Sequence, residues 1–239
     1  MTQPWESEMD QTEWERRIAD IRSGGDDLDR ALEASMALKG LTDRSRIPEL
    51  EHLIQDDDFF MREAAASPLI NLKGLGALPL LLQALERGTQ PGHDHDGLAL
   101  EITELIESHK TEAVPLLLAM LRDPKGQTRS HAAWLLGFIS DVVSPEVLTD
   151  VLKDLNPNVR SSAVGSLSSF KDHPGVLEAM LPLLDDGEEQ VRVDAASALG
   201  YFGDRRAIPS LRDALSDPSE RVRRFAESSL GLLGDRRES

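Results

Sequence analysis

Residues 207–233 read AIPSLRDALSDPSERVRRFAESSLGLL, and the spacing inside this stretch decides the fold. Arg223 follows Asp217 by six residues, and Ala226 and Leu230 follow the arginine by three and seven. The same register recurs at Asp56, Arg62, Ala65 and Leu69, and at Asp123, Arg129, Ala132 and Leu136. It recurs again at Asp154, Arg160, Ala163 and Leu167, and at Asp186, Arg192, Ala195 and Leu199. The last four arginines lie 31, 32 and 31 residues apart. A period of this length built from helical hairpins specifies an all-α, right-handed α-solenoid, here of about seven repeats.

Each unit reads as a helix A, a tight turn and a helix B. Pro48, Pro115 and Pro209 stand fourteen residues before a repeat arginine, and Pro79 holds the same place in the third unit. Proline suits a first helical turn, where its missing N–H breaks no bond. The aspartate ends helix A and caps the turn by accepting from free N–H groups. The arginine opens helix B and is placed to reach aspartates of its own or the neighbouring unit, giving a ladder along the stack. The alanine at plus three and the leucine at plus seven share one face at helical spacing. Leu72, Ile139, Phe170, Phe202 and Leu233 at plus ten complete that apolar face.

Two units depart from the rule. The first would pair a helix near Asp10–Arg22 with one near Asp27–Lys39, broken at Gly24-Gly25. Ala34 and Leu38 keep register there, and Ala31 replaces the arginine. A polar outer face is expected of such an end unit. The third unit, with Leu98–Ser108 as its helix B, lacks the arginine. The organisation expected is a capping segment 1–43, a repeat array 44–234 and a polar tail 235–239.

Composition bounds function. No cysteine is present, which removes disulfides and thiolate metal sites. No signal-like segment opens the chain and no run of 18 apolar residues occurs, so a soluble, cytoplasmic protein without membrane association is expected. The net charge is −17, with 16 acids against 7 bases in residues 1–60 and near balance in 121–180. Such a field repels a phosphate backbone and disfavours nucleic acid, while favouring basic partners.

The stretches Ala207-Ile208-Pro209-Ser210-Leu211, Asp217-Pro218, Val222-Arg223 and Asp194-Ala195-Ala196-Ser197-Ala198-Leu199-Gly200-Tyr201-Phe202-Gly203-Asp204 resemble HEAT repeats. The likeness is to the bacterial HEAT-like class named after phycobilisome lyases, and it covers residues 44–234. The resemblance implies that B helices line a concave surface. It is specific for fold and not for function, because such arrays serve as scaffolds, inhibitors, adaptors and a few enzymes.

On helix B, positions plus two, plus five and plus nine from the arginine fall opposite the core leucine. Plus five is small at Ser67, Gly165, Ser197 and Ser228, but Trp134 breaks the rule. Plus nine reads Asn71, Phe138, Ser169, Tyr201 and Leu232. Trp134 and Phe138 are therefore expected to project from the core, with His131 at plus two, and small residues on the next unit leave room beside them. His131, Trp134, Phe138 and Tyr201 are the candidate partner-binding residues, since exposed aromatics bury much area at low entropic cost.

A second irregularity is an insertion containing His93, Asp94, His95 and Asp96. His93 and His95 are weak candidate metal ligands, with a solvated turn as the competing reading. No cofactor is implied. No His-Glu dipeptide of the deoxyhypusine hydroxylase kind occurs, and the charge argues against the basic groove of DNA alkylpurine glycosylases. No phosphate-binding glycine loop, nucleophile elbow or cysteine nucleophile is found. The sequence thus points to a non-enzymatic adaptor, scaffold or regulatory subunit that binds another protein or peptide. A lyase-like enzyme or enzyme subunit acting on a chromophore or protein substrate is the alternative.

Overall fold

A computed structural model of the chain describes residues 9–23, 27–87, 96–171 and 173–235. All regular elements among them are helical, arranged as seven hairpins that fall into two units, Met1–His109 and Lys110–Ser239. The insertion residues His93, Asp94 and His95 lie outside the described residues, as do Gly24 and Gly25.

The first unit contains α1 (Gln11–Arg22), α2 (Leu28–Lys39), α3 (Ile47–Leu53), α4 (Phe59–Lys73), α5 (Leu78–Arg87) and α6 (Asp96–Ser108). They pair as α1/α2, α3/α4 and α5/α6, and the B helices α2, α4 and α6 pack side by side. Both helices of the first hairpin start where an aspartate can cap them. Asp10 accepts from the Glu13 N–H, and Asp27 accepts from the Arg30 N–H. The first joint is built around Arg46, which is nearly buried. It donates to Gln11 Oε1 and the Met9 carbonyl and lies over the Trp14 ring at 5.2 Å. The stretch Phe59–Arg87 is apolar and long enough to cross a membrane by composition, but half of it is buried in the fold. It is also interrupted at Gly74, whose φ of 56° lies outside right-handed helix.

Many outward positions of the first hairpin are polar, among them Gln11, Glu15, Arg16, Asp29 and Glu33, but one line along α2 is apolar. Leu28, Leu32 and Met36 stand 70%, 58% and 64% exposed along α2. The helix carries two apolar stripes, and Ala34 and Leu38 take the core because they hold the repeat register.

The second unit contains α7 (Lys110–Met120), α8 (Gly126–Leu136), α9 (Glu146–Val151), α10 (Pro157–Leu167), α11 (Val176–Met180), α12 (Glu189–Phe202), α13 (Ile208–Asp213) and α14 (Glu220–Leu232). Several short A helices are extended by 3₁₀ turns, as at Leu181–Asp185 and Ala214–Ser216. The B helices α8, α10, α12 and α14 stack in chain order. Pro209 sits in a first helical turn as expected, but Pro115 does not. Helix α7 starts five residues before it, anchored by buried Ala113 and by the Lys110–Asp141 ion pair, and continues through the proline. The missing Pro115 N–H leaves one intrahelical bond unmade.

The core register is the one the spacing demands. All five plus-three alanines are fully buried, and the plus-seven leucines and plus-ten residues are all buried, Phe170 among them at 1% exposure.

The arginine ladder forms in the second unit. Arg129 donates to both carboxylate oxygens of Asp154 at 2.7 and 2.8 Å, and Arg160 does the same to Asp186 at 2.8 and 2.7 Å. Arg192 pairs likewise with Asp217. Each arginine also donates to the carbonyl of its own unit's aspartate, six residues back. Each aspartate in turn accepts from the backbone N–H two residues on, which fixes the turn into helix B. The arginine bond, first among its influences, holds the Asp154 carboxyl below the usual carboxylate range. For Asp186 and Asp217 burial is the largest influence and acts upward. The arginine bond, the turn N–H and nearby positive charge together outweigh it and hold both below that range.

Candidate partner-binding groove

The B helices approach one another closely at plus eight. A Cβ added to Gly137 would lie 2.8 Å from Ser166 Cβ, and one added to Gly200 would lie 2.6 Å from Ser229 Cβ. The serines use that proximity: Ser166 Oγ donates to the Trp134 carbonyl and Ser229 Oγ to the Ala196 carbonyl. Close packing on this line brings the outward side chains of neighbouring helices onto one surface.

On that surface α8, α10 and α12 form a groove of about 460 Å³. Trp134 and Phe138, one turn apart on the α8 side, meet edge to face with ring centroids 5.6 Å apart. Tyr201 of α12 forms the opposite wall and is 65% exposed. The floor between them is made by Gly165 and Ser197, the small plus-five residues of the next two units. The tryptophan has room because its successors in the register are small.

Three of the four candidate residues therefore line one groove. His131 does not line it; the ring is half-buried on α8, with Nε2 3.3 Å from the Gln127 amide nitrogen. All five plus-nine positions are exposed, whereas at plus two Ala64 is buried, so that position is not uniformly outward. The structure adds residues that the sequence reading did not single out. Asp194 and Ser162, at plus two, line the groove, and so does Ser161 at plus one. The register itself would have found the first two. The Ser161 hydroxyl is buried without a hydrogen-bond partner among the described residues, and Gln190 holds one Asp194 oxygen at 2.9 Å.

The groove offers apolar aromatic walls and a floor of small residues with several hydroxyls. Among the described residues, no group of three or more His, Asp or Glu side chains could hold a metal ion.

A family profile described as HEAT repeats matches residues 97–168, 114–196 and 177–239, more than half the chain. The chain belongs to the HEAT-repeat family. The matched segments include every residue of the groove. Among HEAT-like relatives, the phycocyanobilin lyase subunit alpha of Nostoc sp. (strain PCC 7120) is 30% identical over 145 residues, 57% of this chain and 52% of that protein. Protein YibA of Escherichia coli K12 is 30% identical over 94 residues, 39% of this chain and 34% of that one. The chain thus spans about half, or less, of the length of the curated relatives it matches. Solved structures of similar fold include that of YibA (17% identity, TM-score 0.48, covering 96% of this chain and 89% of that one). Human deoxyhypusine hydroxylase gives 19% identity and a TM-score of 0.45, covering 97% and 93%.

Proposed function

We propose that this HEAT-repeat protein is a cytoplasmic scaffold or adaptor that holds a segment of another protein across the groove of α8, α10 and α12, without catalysing a reaction. The observation that carries this reading is the aromatic pair Trp134–Phe138 facing Tyr201 over a floor of small residues. Rigid aromatics beside open space are typical anchors for a partner, because they gain buried area with few rotors to freeze. The unsatisfied Ser161 hydroxyl and the Asp194 carboxylate would supply orienting polar contacts. The test is affinity purification from the native host with the parent protein and with Trp134→Ala/Tyr201→Ala. A specific partner should be retained by the parent and lost with the variant, at unchanged helical circular dichroism. Retention of every partner by the variant would refute the assignment of this groove.

The Nostoc relative supports a second reading, in which the same groove holds an open-chain tetrapyrrole or its carrier protein as part of a lyase-like activity. Titration with phycocyanobilin separates the two: a saturable change in the visible absorption that Trp134→Ala abolishes would favour it.

A further inference from the structure

The first unit carries another surface of different chemistry. Leu28, Leu32 and Met36 follow one another at intervals of four along α2, an exposed apolar stripe about 12 Å long. Phe60 at the start of α4 and Leu100 on α6 are 55% and 57% exposed and face the same groove of about 520 Å³. Five large apolar side chains converging on one site are more than the scattered exposure a soluble surface normally shows.

The polar groups of this groove are nearly all acidic. Glu63, Glu101 and Glu104 line it, with Lys39 as the single base among the described residues. Glu101 is the unusual one. Its Oε1 accepts from Ser67 Oγ and lies 3.9 Å from the Lys39 ammonium, but its Oε2 is buried with no hydrogen-bond partner among the described residues. Burial, the largest influence, raises its carboxyl above the usual range despite the Ser67 bond. A buried oxygen in this state is incompletely satisfied until a donor reaches it. The surrounding field has the same sign: residues 1–109 hold 23 acids and 10 bases, a net charge of −13 out of −17.

We infer that this groove on α2, α4 and α6 is a docking site for a cationic amphipathic helix of another protein. The apolar face of such a helix would cover Leu28, Leu32, Met36, Phe60 and Leu100, and a lysine or arginine would reach Glu101 and Glu104. Helix-in-groove recognition lays the apolar face of an amphipathic helix into an apolar groove of this kind. Charge selects the occupant. A second copy of this chain would bring three more glutamates and another −13 field against the same face, whereas a basic helix removes the mismatch. The site does not depend on the aromatic groove of the second unit.

The probe is a fluorescein-labelled amphipathic peptide of alternating leucine and lysine pattern, LKKLLKLLKKLLKL, compared with the same peptide bearing glutamate for lysine. Fluorescence anisotropy with the full chain should show saturable binding of the lysine peptide only, weakening as salt rises to about 0.5 M. Leu32→Asp and Met36→Asp, both at exposed positions, should each weaken binding about tenfold or more, and Glu101→Gln with Glu104→Gln should weaken it and reduce its salt dependence. Trp134→Ala should leave it unchanged. Absence of binding, equal binding of both peptides, or indifference to Leu32→Asp and Met36→Asp would overturn the inference. So would a dimer in light scattering that Leu32→Asp dissolves, since the occupant would then be a second copy.

Discussion

Replacing Gly200 by alanine should destabilise this protein, while the same change at Gly231 should stabilise it, although the two glycines hold the same register position on successive B helices. A Cβ at residue 200 would meet Ser229 Oγ at 2.4 Å, Cβ at 2.6 Å and Cα at 2.9 Å. A new rotamer of Ser229 moves only the first of these, so α14 itself must retreat. Overpacking of this kind costs about 1–3 kcal/mol. Retreat also stretches the 2.8 Å bond from Ser229 Oγ to the Ala196 carbonyl, worth about 1 kcal/mol. Alanine's advantage in a helix returns about 1 kcal/mol, leaving a net loss of about 1–3 kcal/mol. At Gly231 nothing lies within 4 Å of the new Cβ and the residue is exposed, so only the propensity gain of about 0.5–1 kcal/mol remains. Urea denaturation followed by circular dichroism, with parent and both variants fitted together, measures the difference. A Gly200→Ala protein as stable as the parent would refute the close-approach argument, and so would a shared sign for the two substitutions.

The ladder supplies a second expectation. Arg160→Ala and Asp186→Ala should each destabilise, and a double-mutant cycle should return a coupling of about 1–2 kcal/mol, at the upper end for a pair with one edge in water; a coupling near zero would mean the bidentate contact adds nothing. The same carboxylates set the acid limb. Asp154, Asp186 and Asp217 titrate lower in the folded chain, so their stabilisation is complete above the unfolded value near pH 4 and is lost as the pH falls through the depressed values. Melting temperature against pH should fall steeply below about pH 4, and substituting the three aspartates by asparagine should flatten that limb. Phe170→Ala, at a fully enclosed plus-ten site, should cost about 3–5 kcal/mol by thermal or urea melting, against almost nothing for Ser169→Ala beside it.

The core and the ladder were legible in the sequence because both follow fixed offsets from one arginine. Ala163, Leu167 and Phe170 enter the core by helical geometry alone, and Arg160 meets Asp186 because one repeat separates them from equivalent positions. The aromatic groove was legible for the same reason: Trp134 is an exception measured against Gly165 and Ser197. Pro115 was misread because the offset gives no information on how far upstream a helix begins, and Ala113 is what extends α7. His131 was placed by rotation angle, which fixes a side chain's direction but not the edge of a groove. The acidic groove of the first unit was illegible for a different reason. Its walls come from α2, α4 and α6, and nothing in the spacing of Leu28 reveals that Phe60 and Leu100 will lie beside it.

The joint between neighbouring units has a consequence for how such a protein can change. Each arginine–aspartate joint is electrically neutral, repeats the same geometry, and draws one partner from either side of the seam. A unit inserted or deleted with its own aspartate and arginine would leave the remaining seams chemically unaltered. In the second unit the plus-nine residues Phe138, Ser169, Tyr201 and Leu232 are exposed and stand outside the arginine–aspartate joints, so they can diversify without disturbing them, whereas Ser162 at plus two bonds Ser130 of the preceding repeat. Lengthening the array and redesigning the plus-nine surface of the second unit are therefore separable operations in this chain.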